Sequence, residues 1–253
     1  MVKAKKHLGQ HFLTDKNIAL KIVDSLPDFN CNTLEIGPGT GVLTQFLIPR
    51  LNEKLTLIEI DEESVDFLKI EYPAVNERLI LGDFLRYDLS KFTPPFQIIG
   101  NFPYNISSQI FFKVLEFRNQ IPSVVGMIQK EVAVRLSSPP GNKDYGILSV
   151  LLQTYYKIEY LFTVSEHVFS PPPKVKSAVI RLTRNNRESI NCDEKLYFSV
   201  IKTSFGQRRK TLRNSLKSKF VDLRSDNEIF NKRPEQLSVD EFIYLTGLVE
   251  ESN

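Results

Sequence analysis

The sequence predicts an α/β fold with a mainly parallel β-sheet, followed by a small all-helical domain. Up to residue 183, short runs rich in Ile, Leu and Val alternate with helical stretches, as expected for strands that are covered on both faces. After residue 183 the β pattern stops and a helical periodicity takes over. We therefore expect one domain over residues 1–183 and a helical domain over residues 184–253, which begins with a polar linker at residues 184–189.

The individual strands are predicted from apolar runs with few polar interruptions, and the helices from the stretches between them. The predicted strands are residues 33–37, 55–60, 78–83, 96–101, 123–129, 156–164 and 177–183. The predicted helices are residues 15–26, 62–71, 107–117 and 130–137, and a helical pattern covers residues 193–250. The three prolines at positions 171–173 predict a rigid local turn.

The composition is that of a folded protein. Of its 253 residues, 42% are hydrophobic and 25% are charged, which allows a full core and argues against disorder. Two cysteines, Cys31 and Cys192, cannot form a disulfide framework and fit a reducing compartment. The sequence contains no signal-peptide core at its start and no apolar run that could span a bilayer. We therefore expect a soluble protein of the cytoplasm without a membrane partner.

A glycine-rich turn follows the first predicted strand, at residues 35–41 (EIGPGTG). Gly37 and Gly39 let the backbone turn sharply and approach a ligand closely, although an ordinary strand-to-helix turn explains this feature equally well on its own. Glu59 ends the next predicted strand, where a dinucleotide-type fold places a carboxylate on ribose hydroxyls. Asp83 ends the third, where a carboxylate could accept from an adenine amine while Phe84 flanks the ring. Together the three strand ends predict a nucleoside-binding site.

An oxidoreductase that uses a dinucleotide is the first alternative. Its fingerprint is Gly-x-Gly-x-x-Gly, whereas this turn has the spacing Gly-x-Gly-x-Gly. No His and no Tyr/Lys pair stands out as the acid for hydride chemistry.

The fourth predicted strand runs into residues 101–104 (NFPY), which suit chemistry on an adenine amine. That amine is a poor nucleophile because its lone pair is delocalised into the ring. The side-chain oxygen of Asn101 and the carbonyl of Phe102 could hold it in a pyramidal form, and Pro103 would fix the direction of these acceptors. Tyr104 offers a face on which an extruded base can stack. An ordinary loop is the alternative, since Asn and Pro are common turn residues.

With these motifs in view, the chain closely resembles the KsgA family of ribosomal RNA adenine dimethyltransferases, which is related to the erythromycin-resistance methylases. The resemblance covers nearly the whole chain and is carried by residues 6–13 (KHLGQHFL), 35–39 (EIGPG), 101–107 (NFPYNIS), 129–136 (QKEVAVRL), 169–175 (FSPPPKV) and 205–213 (FGQRRKTLR). It implies a Rossmann-like class I methyltransferase fold, with a seven-stranded sheet whose last strand is antiparallel. The implied cosubstrate is S-adenosyl-L-methionine. The implied reaction is N6,N6-dimethylation of two adjacent adenosines near the 3′ end of small-subunit (16S) ribosomal RNA.

The resemblance also assigns roles to individual residues. The cofactor contacts would fall on His11, Leu13, Gly37, Glu59, Asp83 and Asn101, beside the turn residue Gly39. Family members often carry Asn in place of His11, and a backbone contact at this position survives that difference. The catalytic loop maps to Asn101, Pro103 and Tyr104. Phe169 is implied as the second aromatic that sandwiches the target base, although by itself it is as well explained as a core aromatic.

A basic segment near the carboxyl end predicts RNA contacts. Residues 195–221 contain no Asp or Glu. The segment contains four basic side chains that we expect to contact phosphates, namely Arg208, Arg209, Lys210 and Arg213. A solvated basic face is the usual alternative for such a run. Lysines at positions 3, 5 and 6 are expected to add a mobile basic arm.

No metal site is predicted, because His7 and His167 lack a cluster of ligating side chains at the required spacing. The expected partner is small-subunit ribosomal RNA or the immature 30S subunit, bound by a monomer. Two other functions stay open: a resistance-type methylase that acts on large-subunit RNA, and an assembly factor that kept the fold and lost catalysis. The complete set of nucleoside-binding and catalytic residues argues against the loss of catalysis.

Overall fold

A computed structural model of the protein describes residues 2–217, 219–220 and 227–251. The strands are β1 (Phe12–Leu13), β2 (Asn32–Ile36), β3 (Leu55–Glu59), β4 (Leu79–Leu81), β5 (Phe96–Asn101), β6 (Ser123–Gln129), β7 (Tyr156–Val164), β8 (Phe169–Ser170) and β9 (Ser177–Arg184). The α-helices are α1 (Lys16–Val23), α2 (Thr44–Leu51), α3 (Glu62–Glu71), α4 (Ser107–Glu116), α5 (Lys130–Ser137), α6 (Ile147–Tyr155), α7 (Glu194–Gly206), α8 (Leu212–Leu216) and α9 (Val239–Glu250). Strands β5, β6 and β7 and helices α3 and α5 have the predicted bounds.

In the described part of the chain, seven strands form one sheet in the order β4-β3-β2-β5-β6-β9-β7. Strand β2 pairs in parallel with β3 and β5, β3 pairs in parallel with β4, and β5 with β6. Strand β9, the last of the described strands, is antiparallel to β6. The predicted α/β class, the mainly parallel sheet and the antiparallel last strand are confirmed.

The strand order changes direction at β2. Strands β3 and β4 extend the sheet on one side of β2, whereas β5 and β6 extend it on the other. Connections to the two sides leave the carboxyl ends of β2 and β5 on opposite sides of a crevice, which is where open α/β sheets bind ligands. The fold therefore opens a site at residues 37 and 101, where β2 and β5 end.

Helix α1 begins and ends for identifiable reasons. Asp15 caps it by accepting from the amides of Asn17 (2.8 Å) and Ile18 (3.0 Å). The predicted helix extended to residue 26, but α1 ends at residue 23 and the chain continues in tight turns. Leu26 precedes Pro27, whose ring disfavours a helical conformation in the residue before it.

The core lies between the sheet and its helices. Leu34, Leu57 and Ile99 from the central strands are fully buried, as are Ile22 from α1 and Leu47 from α2. Each such side chain contributes roughly 1.5–3 kcal/mol relative to an exposed one. This packing holds the strand ends that carry the site.

The chain divides into two compact units. One contains Met1–Ala133 and Lys157–Arg184 and holds the sheet, and the other contains Val134–Tyr156 and Asn185–Asn253. The second unit thus takes residues 134–156 as well as the carboxyl-terminal segment, whereas the sequence predicted a single boundary at residue 183. The assignment of functional domains to 1–183 and 184–253 stays a prediction.

The second unit is helical in its described residues, as the periodicity predicted. Helix α6, which the sequence did not predict, packs with α7 and α9. Within this packing, Thr154 Oγ1 lies 2.9 Å from Tyr197 Oη, and Tyr155 Oη donates to Glu194 Oε1 at 3.1 Å. Positions 218, 221–226, 252 and 253 of the predicted helical domain lie outside the described residues. Across the described ranges, none of the helices has the length and apolar character needed to cross a bilayer.

Candidate active site

A cavity opens at the carboxyl ends of β2, β3, β4 and β5. Its volume, mouth included, is about 670 Å³, within the range of small-molecule sites. The walls are formed by Leu8, Gly9, Gln10, His11, Phe12, Ile36, Gly37, Gly39, Ile58, Glu59, Ile60, Gly82, Asp83, Phe84, Asn101, Phe102, Pro103, Tyr104 and Ile106. The structure thus brings together the predicted strand-end residues and the catalytic loop.

The turn after β2 requires glycine for two different reasons. Gly37 has φ +64° and Gly39 has φ +57°, both in the left-handed region. At Gly37 the space is open, with Pro103 Cδ 4.0 Å from where a Cβ would lie, so the conformation alone selects glycine. At Gly39 a Cβ would also lie 2.8 Å from the ring of Phe12. The backbone is therefore open toward the cavity at Gly37, whereas the ring of Phe12 lies against Gly39.

Glu59 ties the end of β3 to the glycine turn. It is 3% exposed, and its Oε2 accepts from the amide of Gly39 at 2.9 Å. Its Oε1 accepts from the amides of Ile60 (2.8 Å) and Asp61 (3.0 Å). Burial raises the pKa of Glu59, and these backbone bonds partly oppose the increase. A carboxylate has about four acceptor positions, so Glu59 can still accept from a sugar hydroxyl in the cavity.

Glu35 lies behind this wall and is almost completely buried. Its Oε2 accepts from Thr44 Oγ1 at 2.8 Å. Burial raises the pKa of Glu35 to about 8, the Thr44 bond opposes that increase, and the nearby Glu59 adds to it. Glu35 is therefore protonated at neutral pH and lies behind the glycine turn.

The opposite wall combines a carboxylate with apolar surfaces. Asp83 Oδ1 accepts from the amide of Leu85 at 2.8 Å, and Oδ2 lies 3.6 Å from the Nε of Arg86, whose side chain is 90% exposed. Such an exposed ion pair contributes little. Phe84 is buried, whereas Ile60 is 47% exposed. The sequence predicted Asp83 and Phe84 here but missed Ile60, which the Glu59 prediction could have suggested because it is the next residue.

The catalytic loop is anchored by Phe102. Its amide donates to the Met127 carbonyl at 3.0 Å, and its ring fills the space that a Cβ would need at Gly100 and Gly126. The ring also meets Phe111 edge-on, with 5.9 Å between centroids. Strand pairing between β5 and β6 and this aromatic anchor thus fix the backbone from which the next residues project.

Asn101 is held with a defined amide orientation. Its Nδ2 donates to the carbonyl oxygen of His11 at 2.9 Å. A carbonyl oxygen only accepts, so this bond assigns the nitrogen to the His11 side and leaves Oδ1 as the acceptor. The structure therefore gives the cavity wall a side-chain oxygen at the position that the sequence predicted.

Tyr104 is fixed by its hydroxyl and by its ring. Its Oη lies 2.5 Å from Ser177 Oγ on β9, and burial raises the pKa of its hydroxyl although the Ser177 bond opposes that increase. The ring of His11 lies 5.5 Å from the Tyr104 ring at an interplanar angle of 30°. His11 Nδ1 donates to the Pro171 carbonyl at 2.7 Å. His11 therefore contacts the catalytic loop through both its ring and its carbonyl.

Two predicted site residues do not line this cavity. Leu13 and Phe169 are 2% and 4% exposed and belong to the core. They face each other in the antiparallel β1–β8 pair, in which Phe12 is paired with Ser170. Successive side chains of a strand point to opposite sides, so Phe12 reaches the cavity and Leu13 does not. In this structure the Phe169 ring is a core aromatic, and its base-stacking role stays a prediction that requires the ring to be exposed.

The amino-terminal lysines are not a free arm. Lys5 forms a salt bridge with Asp61, to which Gln10 Nε2 also donates at 3.3 Å. The amide of Lys3 donates to Glu63 Oε1 at 3.3 Å. Burial tends to raise the pKa of Asp61, but the hydrogen bonds from Lys5, Ser64 and Gln10 outweigh it, and the pKa is lowered. The expectation of a mobile arm at positions 3 and 5 is therefore wrong, because Asp61 and Glu63 provide partners.

The predicted RNA-binding residues lie in the second unit and differ in exposure. Arg209 and Lys210 are exposed. Arg208 Nη2 donates to the Asn142 carbonyl at 3.3 Å, and the Arg213 guanidinium lies 5.7 Å from the centre of a phenylalanine ring. Contacts of all four residues with RNA stay predictions.

Among residues 2–217, 219–220 and 227–251, no group of three His, Cys, Asp or Glu side chains could hold a metal ion. The expected absence of a metal cofactor stays a prediction.

Comparisons with known proteins identify the family of the chain. The chain matches the family model described as ribosomal RNA adenine dimethylase over residues 1–243. It is 59% identical over 250 residues to the ribosomal RNA small subunit methyltransferase A of Parabacteroides distasonis, covering 97% of this chain and 94% of the relative. A dimethyladenosine transferase structure from Plasmodium falciparum has a TM-score of 0.78 and 26% identity, over 93% of this chain and 96% of that one. The structure of the 23S rRNA methyltransferase ErmE has a TM-score of 0.68 and 25% identity, over 93% and 99% of the two chains.

These likenesses confirm the predicted Rossmann-like class I methyltransferase fold. The family model covers nearly the full length, and the relative at 59% identity covers 97% of the chain. The chain belongs to the ribosomal RNA adenine dimethylase family.

Proposed function

We propose that the protein transfers methyl groups from S-adenosyl-L-methionine to N6 of two adjacent adenosines near the 3′ end of small-subunit ribosomal RNA, forming N6,N6-dimethyladenosine. The observation that carries this proposal is the orientation of Asn101. Its Nδ2 is bound to the His11 carbonyl, so Oδ1 remains to accept from an amine in a cavity built for a nucleoside.

The cavity fits the adenosyl group of this cosubstrate. Glu59 and Asp83 offer acceptors for hydroxyl and amine groups, Ile60 and Phe84 offer apolar surface for a base, and the turn at Gly37 offers open backbone. When bound, S-adenosyl-L-methionine supplies an electrophilic methyl group on a positively charged sulfur. The cavity walls therefore provide acceptors for the polar groups of the ligand and apolar surface for its base.

The catalytic loop prepares the adenine amine. Asn101 Oδ1 and the Phe102 carbonyl would accept its two hydrogens and favour the pyramidal nitrogen, which exposes the lone pair for attack on a methyl group. Pro103 restricts the loop and the Tyr104 ring supports the base, so positioning and electrostatics supply most of the rate. Transfer of the methyl group from sulfur to the nitrogen would make the amine acidic, so it would lose its proton to water and the site needs no strong base. In the second transfer the amine presents one hydrogen, so one acceptor suffices.

The choice of small-subunit RNA follows from sequence similarity. The relative that is 59% identical carries the small-subunit name, whereas the large-subunit enzyme ErmE is 25% identical. Arg209 and Lys210 on the second unit provide exposed positive charge for RNA phosphates. We assign the protein to the cytoplasm, as a monomer that acts on the immature 30S subunit.

The experiment that tests this function uses labelled S-adenosyl-L-methionine with under-methylated small subunits and, in parallel, large subunits. Nucleoside analysis should find dimethyladenosine from the small subunits alone. Asn101→Ala should abolish it, and Asn119→Ala, at an exposed turn outside the site, should not. Label in large subunits alone would assign the chain to the resistance-type class. Tight RNA binding without label on either subunit would favour a non-catalytic assembly factor.

A further inference from the structure

Helix α4 contains a buried lysine that the proposed reaction does not use. Lys113 is 9% exposed, and its ammonium donates to the carbonyls of Phe84 (2.8 Å), Leu85 (3.0 Å) and Tyr87. The same nitrogen lies 5.3 Å from the centre of the Phe84 ring. All of these partners belong to one short turn, residues 83–87, which directly follows the third strand of the predicted site.

A buried ammonium is costly unless it is well paired. Desolvation lowers the pKa of Lys113, and the nearby carboxylates Glu116, Asp83 and Asp88 oppose that decrease. The hydrogen-bond partners are main-chain carbonyls. The ammonium therefore binds the backbone of the turn, and the shape of the turn is what its contacts stabilise.

The same turn forms one wall of the nucleoside cavity. Asp83 Oδ1 accepts from the amide of Leu85 at 2.8 Å, and the Asp83 carbonyl accepts from the amide of Tyr87 at 2.9 Å. Asp83 and Phe84 line the cavity, and Lys113 holds the turn from the side of α4. Helix α4 begins directly after the catalytic loop, at Ser107. Lys113 thus connects the helix of the catalytic loop to the wall that faces the base of the cosubstrate.

We propose that Lys113 is a positioning residue that sets the affinity for the adenine part of the cosubstrate by holding Asp83 and Phe84 in their binding geometry. This inference rests on the proposed function, because it takes S-adenosyl-L-methionine as the occupant of the cavity. Lys113 touches neither the base nor the reacting amine. Its removal changes the wall of the cosubstrate site and leaves Asn101 and Tyr104 in place.

The test replaces Lys113 by Met, which keeps the length of the side chain and removes its donors. The matched control is Lys69→Met, an exposed lysine on α3 outside this turn. Isothermal titration with S-adenosylhomocysteine and with adenosine should give dissociation constants at least about tenfold higher for Lys113→Met, as expected for lost bonds to a charged donor, and unchanged values for the control. In steady-state kinetics the KM for S-adenosyl-L-methionine should rise while kcat stays within about twofold.

A purely structural role would give a different pattern. A lower Tm with unchanged dissociation constants for both ligands, or a fall in kcat with unchanged KM, would overturn the inference. If Lys113→Met does not fold, the same titrations are made with Lys113→Gln. This variant keeps one donor group and should give an intermediate loss of affinity. Wild-type protein that binds neither ligand would refute the proposed function and this inference together. Normal wild-type binding with an unaffected Lys113 variant would refute the inference alone.

Discussion

Replacing Glu35 by Gln should make the protein more stable at neutral and alkaline pH. Glu35 lies behind the glycine turn, is 1% exposed and accepts from Thr44 Oγ1 at 2.8 Å. Gln has the same shape and keeps an oxygen for Thr44, but it cannot ionise. The variant therefore removes the titration of this one group and leaves the packing nearly unchanged.

The size of the stability change follows from the difference between the pKa of Glu35 in the folded protein and in the unfolded protein. Burial raises the pKa of Glu35 in the folded protein from an ordinary value of 4.5 to about 8. Between these values the folded state binds a proton that the unfolded state has lost, so the free energy of unfolding falls as pH rises. The slope is about 1.4 kcal/mol per pH unit, and the full interval corresponds to roughly 4–5 kcal/mol. Gln removes this decline. The free energy of unfolding of the variant should therefore rise relative to that of the wild type as the pH increases from 4.5 to about 8.

Urea unfolding followed by circular dichroism at pH 5.5, 6.5 and 7.5 measures this difference. The stability difference between Glu35→Gln and the wild type should grow by about 1.4 kcal/mol for each pH unit. Other titrating groups contribute to both proteins and largely cancel. Glu71→Gln, at an exposed position on α3, is the control and should change stability little at each pH. A difference that stays constant from pH 5.5 to 7.5 would refute the reasoning, because Glu35 would then be equally ionised in both states.

Three further changes test other parts of the site. Gly39→Ala should destabilise the protein by about 1–3 kcal/mol and weaken S-adenosylhomocysteine binding in titration, because it combines a positive φ with a Cβ 2.8 Å from an aromatic ring; Gly247→Ala, inside helix α9, should not weaken binding. Tyr104→Phe keeps the ring and loses the bond to Ser177, so kcat/KM with small subunits should fall about two- to tenfold, and a larger loss would indicate a further role for the hydroxyl. The double change Arg209→Ala and Lys210→Ala should reduce the slope of log K against log salt by about 1.5 in RNA binding, and an unchanged slope would exclude both from phosphate contact.

Much of the fold could be predicted because buried parallel strands are almost continuously apolar. Strands β5 and β6 were predicted with their correct bounds for this reason. Helix α6 was missed because it is a short, largely apolar run, which periodicity alone cannot distinguish from a strand. The β1–β8 pair was missed because each strand has two residues and the partners lie far apart in the sequence.

The site was predictable where function depends on strand ends. Four of the predicted residues end a strand or follow one closely: Gly37, Glu59, Asp83 and Asn101. The carboxyl ends of parallel strands meet at one edge of the sheet, so these residues come together. Phe12 could not be placed in this way, because its position depends on the pairing of β1 with β8. The same pairing explains why Leu13 and Phe169 lie in the core.

The position of β9 has a consequence for how the sheet is made during synthesis. Among the strands that the structure describes, β9 is the last in sequence, yet it lies between β6 and β7. When β7 leaves the ribosome, the neighbour that it needs in the sheet is still inside the exit tunnel. The edge of β6 stays open until residues 177–184 emerge, so two strand edges with unpaired backbone groups are exposed together for part of the synthesis. The nascent chain must keep these edges apart from other chains, and the finished sheet is reached only after the last strand inserts between two older ones.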